Sequence, residues 1–380
     1  MTERFKIRSI EIKGFKSICS KKYQSIPLAD VTVLIGANGS GKSNFVSFWK
    51  LINEVAKGNI QEYVIREGGA NSILYYGAKE TGTMDFYIFF SNPIIHFDLY
   101  FRLALANGDQ LQIIHEQIDS DRRIESMLSI SPNTNNNISM NEKKEEYGIW
   151  GKLLQNPFLQ SIIEKCKVFQ FHDSSSTSRM RLSVNIDDNR YLHSDAGNLA
   201  AYLYALKSVE TDRPYYDRII RHIQSVMPQF KDFELLPERL NDKMIKLNYF
   251  EKGSDYLFGP HQLSDGSLRF IALATLLLAP PKDLPSVIVI DEPELGLHPT
   301  AIGHLASMAK KASEYSQVIL ATQSPRLVDE FTPNNIVVVE RDEINHCSVF
   351  KQLKEEELKD WLDDYSLSEL WDKNVLGGLP

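Results

Sequence analysis

The octapeptide GANGSGKS at residues 36–43 restricts the fold of this chain more than any other stretch. It satisfies G-x-x-x-x-G-K-[ST] in full, an apolar β-forming run (VTVLIG, 31–36) leads into it, and a helical pattern starts at Ser43. Glycines let such a loop turn its N–H groups inward around an anion. The start of the following helix adds partial positive charge, and a lysine at Lys42 reaches terminal phosphates. The pattern therefore assigns phosphate contacts to Asn38, Gly39, Ser40, Gly41, Lys42 and Ser43, and gives Ser43 a Mg²⁺ ion as well. An accidental glycine-rich turn is the bland alternative, and the flanking strand and helix weigh against it.

Two later strand ends carry compatible chemistry. SVIVIDEPELGLHP (286–299) runs four apolar β-formers into Asp291-Glu292, which puts two carboxylates at the C-terminal end of a sheet strand, the edge where α/β folds bind ligands. Beside a phosphate loop, Asp291 is expected to hold Mg²⁺ and Glu292 to act as general base on the attacking water. VILATQSPRLVD (318–329) ends another buried strand at Gln323. A glutamine can orient water or touch a phosphate but cannot take a proton at neutral pH, which leaves Glu292 as the base. A plain polar strand end is the competing reading of Gln323.

The rest of the chain is read for organisation. KIRSIEIKGF alternates as a strand, and residues 84–117 are aromatic and β-branched with Asn-Pro and Asn-Gly-Asp breaks, which predicts antiparallel strands. Residues 119–148 are asparagine-rich and charged, as in an exposed insertion. Residues 196–230 show helical spacing broken at Asp212-Arg-Pro, and the last third alternates strand and helix in the rhythm of a parallel sheet. With 380 residues, 43% hydrophobic content and no apolar run near the ~20 residues a membrane helix needs, a cytosolic globular protein is expected. Three scattered cysteines (Cys19, Cys166, Cys347) indicate neither a disulfide framework nor a zinc cluster. A net charge of −8 gives no global attraction to nucleic acid, so DNA contact would need a local patch. Lys13, Lys16, Lys21, Lys22, Arg179, Arg181 and Arg190 are its candidates, against the default of scattered surface cations. Asp363-Asp364 reads as a helix face rather than a metal site.

One stretch stays ambiguous on its own. HQLSDGSLRF (261–270) places Ser264-Asp265-Gly266-Ser267 at the mouth of an apolar helix, which is a helix cap by composition. The order of phosphate loop, hydroxyl-Asp-Gly turn, strand ending in Asp-Glu-Pro and polar residue after the next strand resembles the ABC-type ATPases. In that family the turn is the signature motif, written L-S-G-G-Q, which binds the γ-phosphate held by the other subunit. The resemblance thus implies that Ser264 and the Gly266 N–H contact nucleotide across a dimer interface. IEIKGFKSI, GANGSGKSN, DEPELGLHP and ATQSPRLVDEF narrow it to the RecF/SMC-related branch and to the predicted bacterial AAA-family, ABC-like ATPases, whose relatives act in DNA repair, chromosome organisation or antiphage defence.

What that resemblance implies is an α/β, ABC-type P-loop ATPase head with a mixed β lobe, a small helical lobe and a parallel-sheet catalytic core, lacking a long coiled coil. The expected divisions are 1–118 and 258–350 for the two ATPase halves, 119–257 for insertion and helical lobe, and 351–380 for a tail. ATP and Mg²⁺ are the implied cofactors. A homodimer with composite sites, a separately encoded effector and DNA are the implied partners, without a membrane. Asp265 departs from the signature's glycine and Gln323 from the usual switch histidine. The lobe-linking glutamine, a further metal ligand in the family, falls on Gln170 within KVFQFHDSS or is absent, since Gln170 reads equally as a strand residue. An ATP-driven switch, a RecF-like DNA clamp, a transporter motor and a nuclease of the overcoming-lysogenization-defect type compete, and too few residues follow Glu340 for the last to carry its own nuclease domain.

Overall fold

A computed structural model describes residues 4–120 and 157–378. Most of the expected insertion, from residue 121 on, lies outside the described residues; Asp119 and Ser120 instead finish a strand. The chain divides into two compact units, Met1–Lys167 with Thr332–Pro380, and Val168–Phe331.

In the first unit β1 (Lys6–Lys13), β2 (Gln24–Pro27), β4 (Thr83–Ser91), β5 (His96–Ala106) and β6 (Gln110–Ser120) form a five-stranded antiparallel sheet in the order β2-β1-β4-β5-β6, where β3 denotes Val31–Ile35. Period-two alternation buries Phe86, Ile88 and Phe90 of β4 and Phe97, Leu99 and Phe101 of β5 on one face. Cross-strand ring pairs join them, Phe86 with Phe101 at 5.1 Å and Phe90 with Phe97 at 4.7 Å. That face receives the helix Lys42–Lys57: Phe48 meets Phe86 edge-on at 5.2 Å and Phe15 at 5.9 Å. Burying one such ring contributes about 1.5–3 kcal/mol, so the helix that begins at the phosphate loop is anchored one and a half turns in. β3 is buried along its whole length and pairs in parallel with Ile336–Asp342, which pairs antiparallel with Cys347–Gln352. A strand covered on both faces reads as a continuous apolar run, as VTVLI does.

In the second unit Val287–Asp291 and Gln317–Ala321 pair in parallel, joined by the helix Pro299–Ala312. The helices Leu199–Ser208 and Arg213–Val226 confirm the expected break at Asp212-Arg-Pro, the proline sitting in the first turn, where its missing N–H costs nothing. Between residues 184 and 258 the structure adds two three-stranded sheets of short strands. Among the described residues the longest helix has 16 residues, so no long coiled coil is present, and none is long and apolar enough to cross a membrane.

Candidate active site

The phosphate loop leaves β3 at Gly36, whose φ of 150° and contact with the Val339 carbonyl, 2.2 Å from where a Cβ would lie, exclude any side chain. Gly41 is equally constrained. Its φ is 120°, and a Cβ there would sit 2.1 Å from the Ser348 Oγ. Beneath it a hydroxyl network holds the loop: Ser348 Oγ donates to the Ser40 carbonyl and accepts from Ser17 Oγ (2.6 Å), while the Asn44 side chain donates to Ser17 Oγ (2.7 Å). This explains the KGFKS and GKSN stretches, since Ser17 and Asn44 grip the loop from two sides. Sequence reading missed Ser17 and Ser348 as supports.

The helix that follows has no side-chain cap and no acidic residue in its first turn, so its N–H groups face a site without a competing carboxylate. Ser43 is exposed, as are Asn38 and Gly39, whereas Ser40 is buried with an Oγ that finds no partner. Lys42, only 5% exposed, donates to the Gly36 carbonyl at 2.5 Å and the Ala37 carbonyl at 3.0 Å. A cradle open only to backbone, a free helix start and an exposed hydroxyl next to the lysine fit nucleotide phosphates and their Mg²⁺.

The acidic cluster belongs to the second unit. Asp291 ends its strand, buried, and its carbonyl meets His172 Nε2 at 2.9 Å. The next residue, Glu292, has a φ of 46°. That left-handed conformation is uncommon for a residue other than glycine, and such outliers concentrate at functional sites. Its N–H bonds the Ala321 carbonyl at 2.7 Å, and its Oε1 accepts from Gln323 Nε2 at 2.8 Å. The structure thus brings Gln323 onto Glu292, as adjacent strand ends require. Glu294, which sequence reading left out, accepts from Thr322 Oγ1 (2.6 Å) and the Gln323 N–H (3.0 Å) through Oε1, while Oε2 is buried without a partner. Burial pushes its carboxyl above the ordinary value, and neighbouring Glu292 adds to the rise. Among the described residues no group of three or more His, Cys, Asp or Glu side chains is placed to hold a metal. Mg²⁺ commonly takes one or two protein carboxylates and completes its shell with substrate phosphates and water.

Ser264 caps the helix Asp265–Leu277, accepting from the Ser267 N–H at 3.1 Å. Gly266 has a packing reason inside its own unit, because a Cβ there would lie 2.2 Å from the Gly296 carbonyl. The turn therefore abuts the loop that follows Glu292. Arg269 ties the same parts together, donating to the carbonyls of Phe171 (2.9 Å), His172 (2.7 Å) and Leu295 (2.8 Å). Gln170 directly follows the strand Cys166–Phe169, with its N–H on the Ser194 carbonyl.

Of the seven candidate cations of a basic patch, four are engaged and three, Lys21, Lys22 and Arg190, are exposed. Arg181 is 4% exposed and donates to the carbonyls of Ser174, Pro260 and Leu263 and to Asp265 at 2.7 Å, so it builds the turn at Ser264-Asp265-Gly266 instead of a surface. Lys13 pairs with Asp85, Lys16 with Glu67 and Arg179 with Asp195. Asp363 closes a helix and Asp364 follows it, both exposed, so they lie at the helix end rather than on its face.

A family model described as "AAA domain, putative AbiEii toxin, Type IV TA system" matches residues 31–329. The chain belongs to this AAA-domain family. No curated protein matches it. Among solved structures, the AAA domain is similar to the Smc head domain with an extended coiled coil bound to the C-terminal domain of ScpA from Pyrococcus furiosus, at 17% identity and TM-score 0.58, over 95% of this chain and 99% of that one. It is also similar to an SmcHead bound to the C-winged helix domain of ScpA, at 17% identity and TM-score 0.55, over 93% and 99%. The Smc head domain with a coiled coil and joint from Pyrococcus yayanosii follows at 14% identity and TM-score 0.52, over 95% and 99%. At these identities the likeness establishes the fold, a mixed α/β head of the ABC-ATPase type. Within that AAA domain the matched region contains both the phosphate loop and the Asp291-Glu292 strand end, so a P-loop ATPase domain accounts for both.

Proposed function

We propose that this AAA domain binds and hydrolyses ATP, closes as a two-fold dimer around it, and through that closure switches a separately encoded partner. The observation that carries the reading is Glu292, held in a left-handed backbone conformation with its carboxylate anchored by Gln323. Strain of that kind costs about 1–3 kcal/mol and persists where the surroundings over-determine it.

In this reading the loop N–H groups and the helix start bind the phosphates. Lys42 exchanges the Gly36 and Ala37 carbonyls for the terminal phosphates, giving up two bonds worth about 1 kcal/mol each for stronger charge-assisted ones. Ser43 and Asp291, with Gln170 as a further candidate, would hold Mg²⁺, which when bound neutralises charge on the phosphate oxygens. Glu292 takes the proton of the attacking water, and Gln323 keeps its carboxylate aimed. Ser264 and the Gly266 N–H serve the nucleotide of a second copy, which makes each site composite in a two-fold dimer. The Smc heads carrying ScpA domains are the precedent for a partner protein. Antiphage defence or genome maintenance is the proposed setting. A RecF-like protein that binds DNA directly is the second reading: Lys13, Lys16, Arg179 and Arg181 are engaged, which leaves the exposed Lys21, Lys22 and Arg190 to carry such a contact.

The test compares Lys42→Ala with Glu292→Gln in nucleotide binding and phosphate release. Lys42→Ala is expected to lose ATP binding, and Glu292→Gln to keep it while turnover falls about 10²- to 10⁴-fold. Normal affinity in the first variant, or a loss under about tenfold in the second, rejects the assignment.

A further inference from the structure

The helices Arg213–Val226 and Pro299–Ala312, both in the second unit, line a cleft of about 410 Å³. From the first helix come Arg218, Arg221, His222 and Ser225. From the second come His304, Ser307, Met308 and Lys311. Both sets are spaced i, i+3, i+4, i+7, which is the stripe one helix turns toward a neighbour. Between packed helices that stripe is ordinarily apolar. Here the two stripes carry three cations, two imidazoles, two hydroxyls and Met308, with Leu278 adding wall from outside them, and among the described residues no carboxylate lines the cleft.

The charges are not balanced internally. Lys311 pairs with Glu314 at 2.7 Å, but neither Arg218 nor Arg221 forms an ion pair among the described residues; Arg218 lies over the Tyr215 ring at 5.5 Å. The His222 and His304 rings meet edge-on at 5.8 Å, and His222 Nδ1 is buried without a partner. Like charges gathered around an unpaired buried nitrogen repel one another and weaken the helix pair unless an anion enters. Guanidinium groups suit phosphate because their planar fork matches two oxygens at once. The volume falls in the ~300–1,000 Å³ range of small-molecule sites and is too small to admit a duplex.

We propose that this cleft is a second anion site, separate from the phosphate loop, that binds a small phosphate-bearing molecule. Arg218 and Arg221 would take phosphate oxygens, His222 and His304 would donate from the floor, and Ser307 would complete the contacts. Its occupancy would bear on the Asp291-Glu292 strand end through the helix Pro299–Ala312, which starts seven residues after Glu292.

The experiment uses the full chain carrying Lys42→Ala, which silences the phosphate loop, with ¹³C-labelled histidines and inorganic pyrophosphate as probe. Signals are assigned with His222→Gln and His304→Gln. Saturable pyrophosphate shifts of the His222 and His304 signals are expected, with affinity weakened about tenfold or more by Arg221→Glu, since charge-assisted bonds to phosphate are of that worth. Arg221 is exposed, so this reversal leaves the fold intact, and circular dichroism checks it. Absence of a saturable shift up to about 10 mM pyrophosphate, a limit corresponding to binding too weak to matter, overturns the proposal. So does an Arg221→Glu variant that binds as well as its parent. A short DNA duplex that moves the same signals at lower concentration than pyrophosphate overturns it too, in favour of a nucleic-acid backbone contact.

Discussion

Replacing Arg181 with methionine should loosen the turn at Ser264-Asp265-Gly266 far more than removing the charge of its acidic partner. The guanidinium is buried and donates to three backbone carbonyls, Ser174 at 2.9 Å, Leu263 at 3.0 Å and Pro260, as well as to Asp265 at 2.7 Å. Methionine fills a similar volume and donates nothing, so the Ser174 and Leu263 carbonyls lose their partner, while the Pro260 carbonyl keeps the Leu263 N–H. At the low end of about 1–3 kcal/mol for each unsatisfied buried group, the loss is about 2 kcal/mol. Asp265 contributes little to that figure, because its side chain is 65% exposed and a screened pair of this kind is worth under about 1 kcal/mol. Hydrogen exchange of the amides around the turn reads the difference directly: Leu263 and Leu268 bond the Pro260 and Ser264 carbonyls. Arg181→Met should speed their exchange about 30-fold, and Asp265→Ala by no more than about fivefold. Equal acceleration in the two variants would mean that the ion pair, not the carbonyl bonds, holds the turn. Acceleration below about threefold for Arg181→Met would show the turn to be self-supporting, and the account of its construction would be wrong.

Two further outcomes follow from the same geometry. Ser264→Arg should retain ATP binding by the single chain, abolish ATP-driven dimerisation in light scattering and abolish hydrolysis, with about 1 kcal/mol lost from the missing cap; normal dimerisation would reduce the turn to a helix cap. Glu294→Gln should alter stability in a pH-dependent way. Burial holds the Glu294 carboxyl above its ordinary 4.5, so the folded chain keeps that proton more readily, and the stability it confers is full below 4.5 and falls as pH rises through the raised value. The amide keeps an acceptor for Thr322 and Gln323 without that loss, so the melting temperature of the variant relative to the parent should climb from about pH 4 to about pH 8. A difference that stays flat across this range would place the carboxyl in water.

The parts of the site legible in the sequence are those encoded in contiguous residues. GANGSGKS, the run into Asp291-Glu292 and the run into Gln323 each carry strand, turn and functional group in one stretch, and parallel pairing of Val287–Asp291 with Gln317–Ala321 brings the last two together. What was not legible depends on partners far apart in the chain. Ser17 and Ser348 meet across 331 positions, and Arg181 reaches Asp265 across 84, with no periodicity to announce either pair. Arg181 reads as a surface cation because composition does not distinguish a guanidinium in water from one surrounded by carbonyls. The left-handed backbone of Glu292 carries no residue signature, since glycine or asparagine would ordinarily mark it. The strands between 184 and 258, several of them two residues long, are too short for alternation to register.

The pairing of β3 with Ile336–Asp342 has a consequence for how the protein is made. The strand that delivers the phosphate loop leaves the ribosome early, yet its parallel neighbour and the Ser348 hydroxyl beneath Gly41 are translated some three hundred residues later. At about 5–20 residues per second, the nascent loop waits on the order of 15–60 s without the strand and hydroxyl that shape it. Residues 168–331, contiguous in the chain, can condense in that interval, whereas the first unit must close the longest loop in the molecule before it gains its last strands. A ribosome stalled before residue 336 would therefore carry an apolar, unpaired β3 edge, the kind of surface that chaperones bind and that neighbouring nascent chains can join.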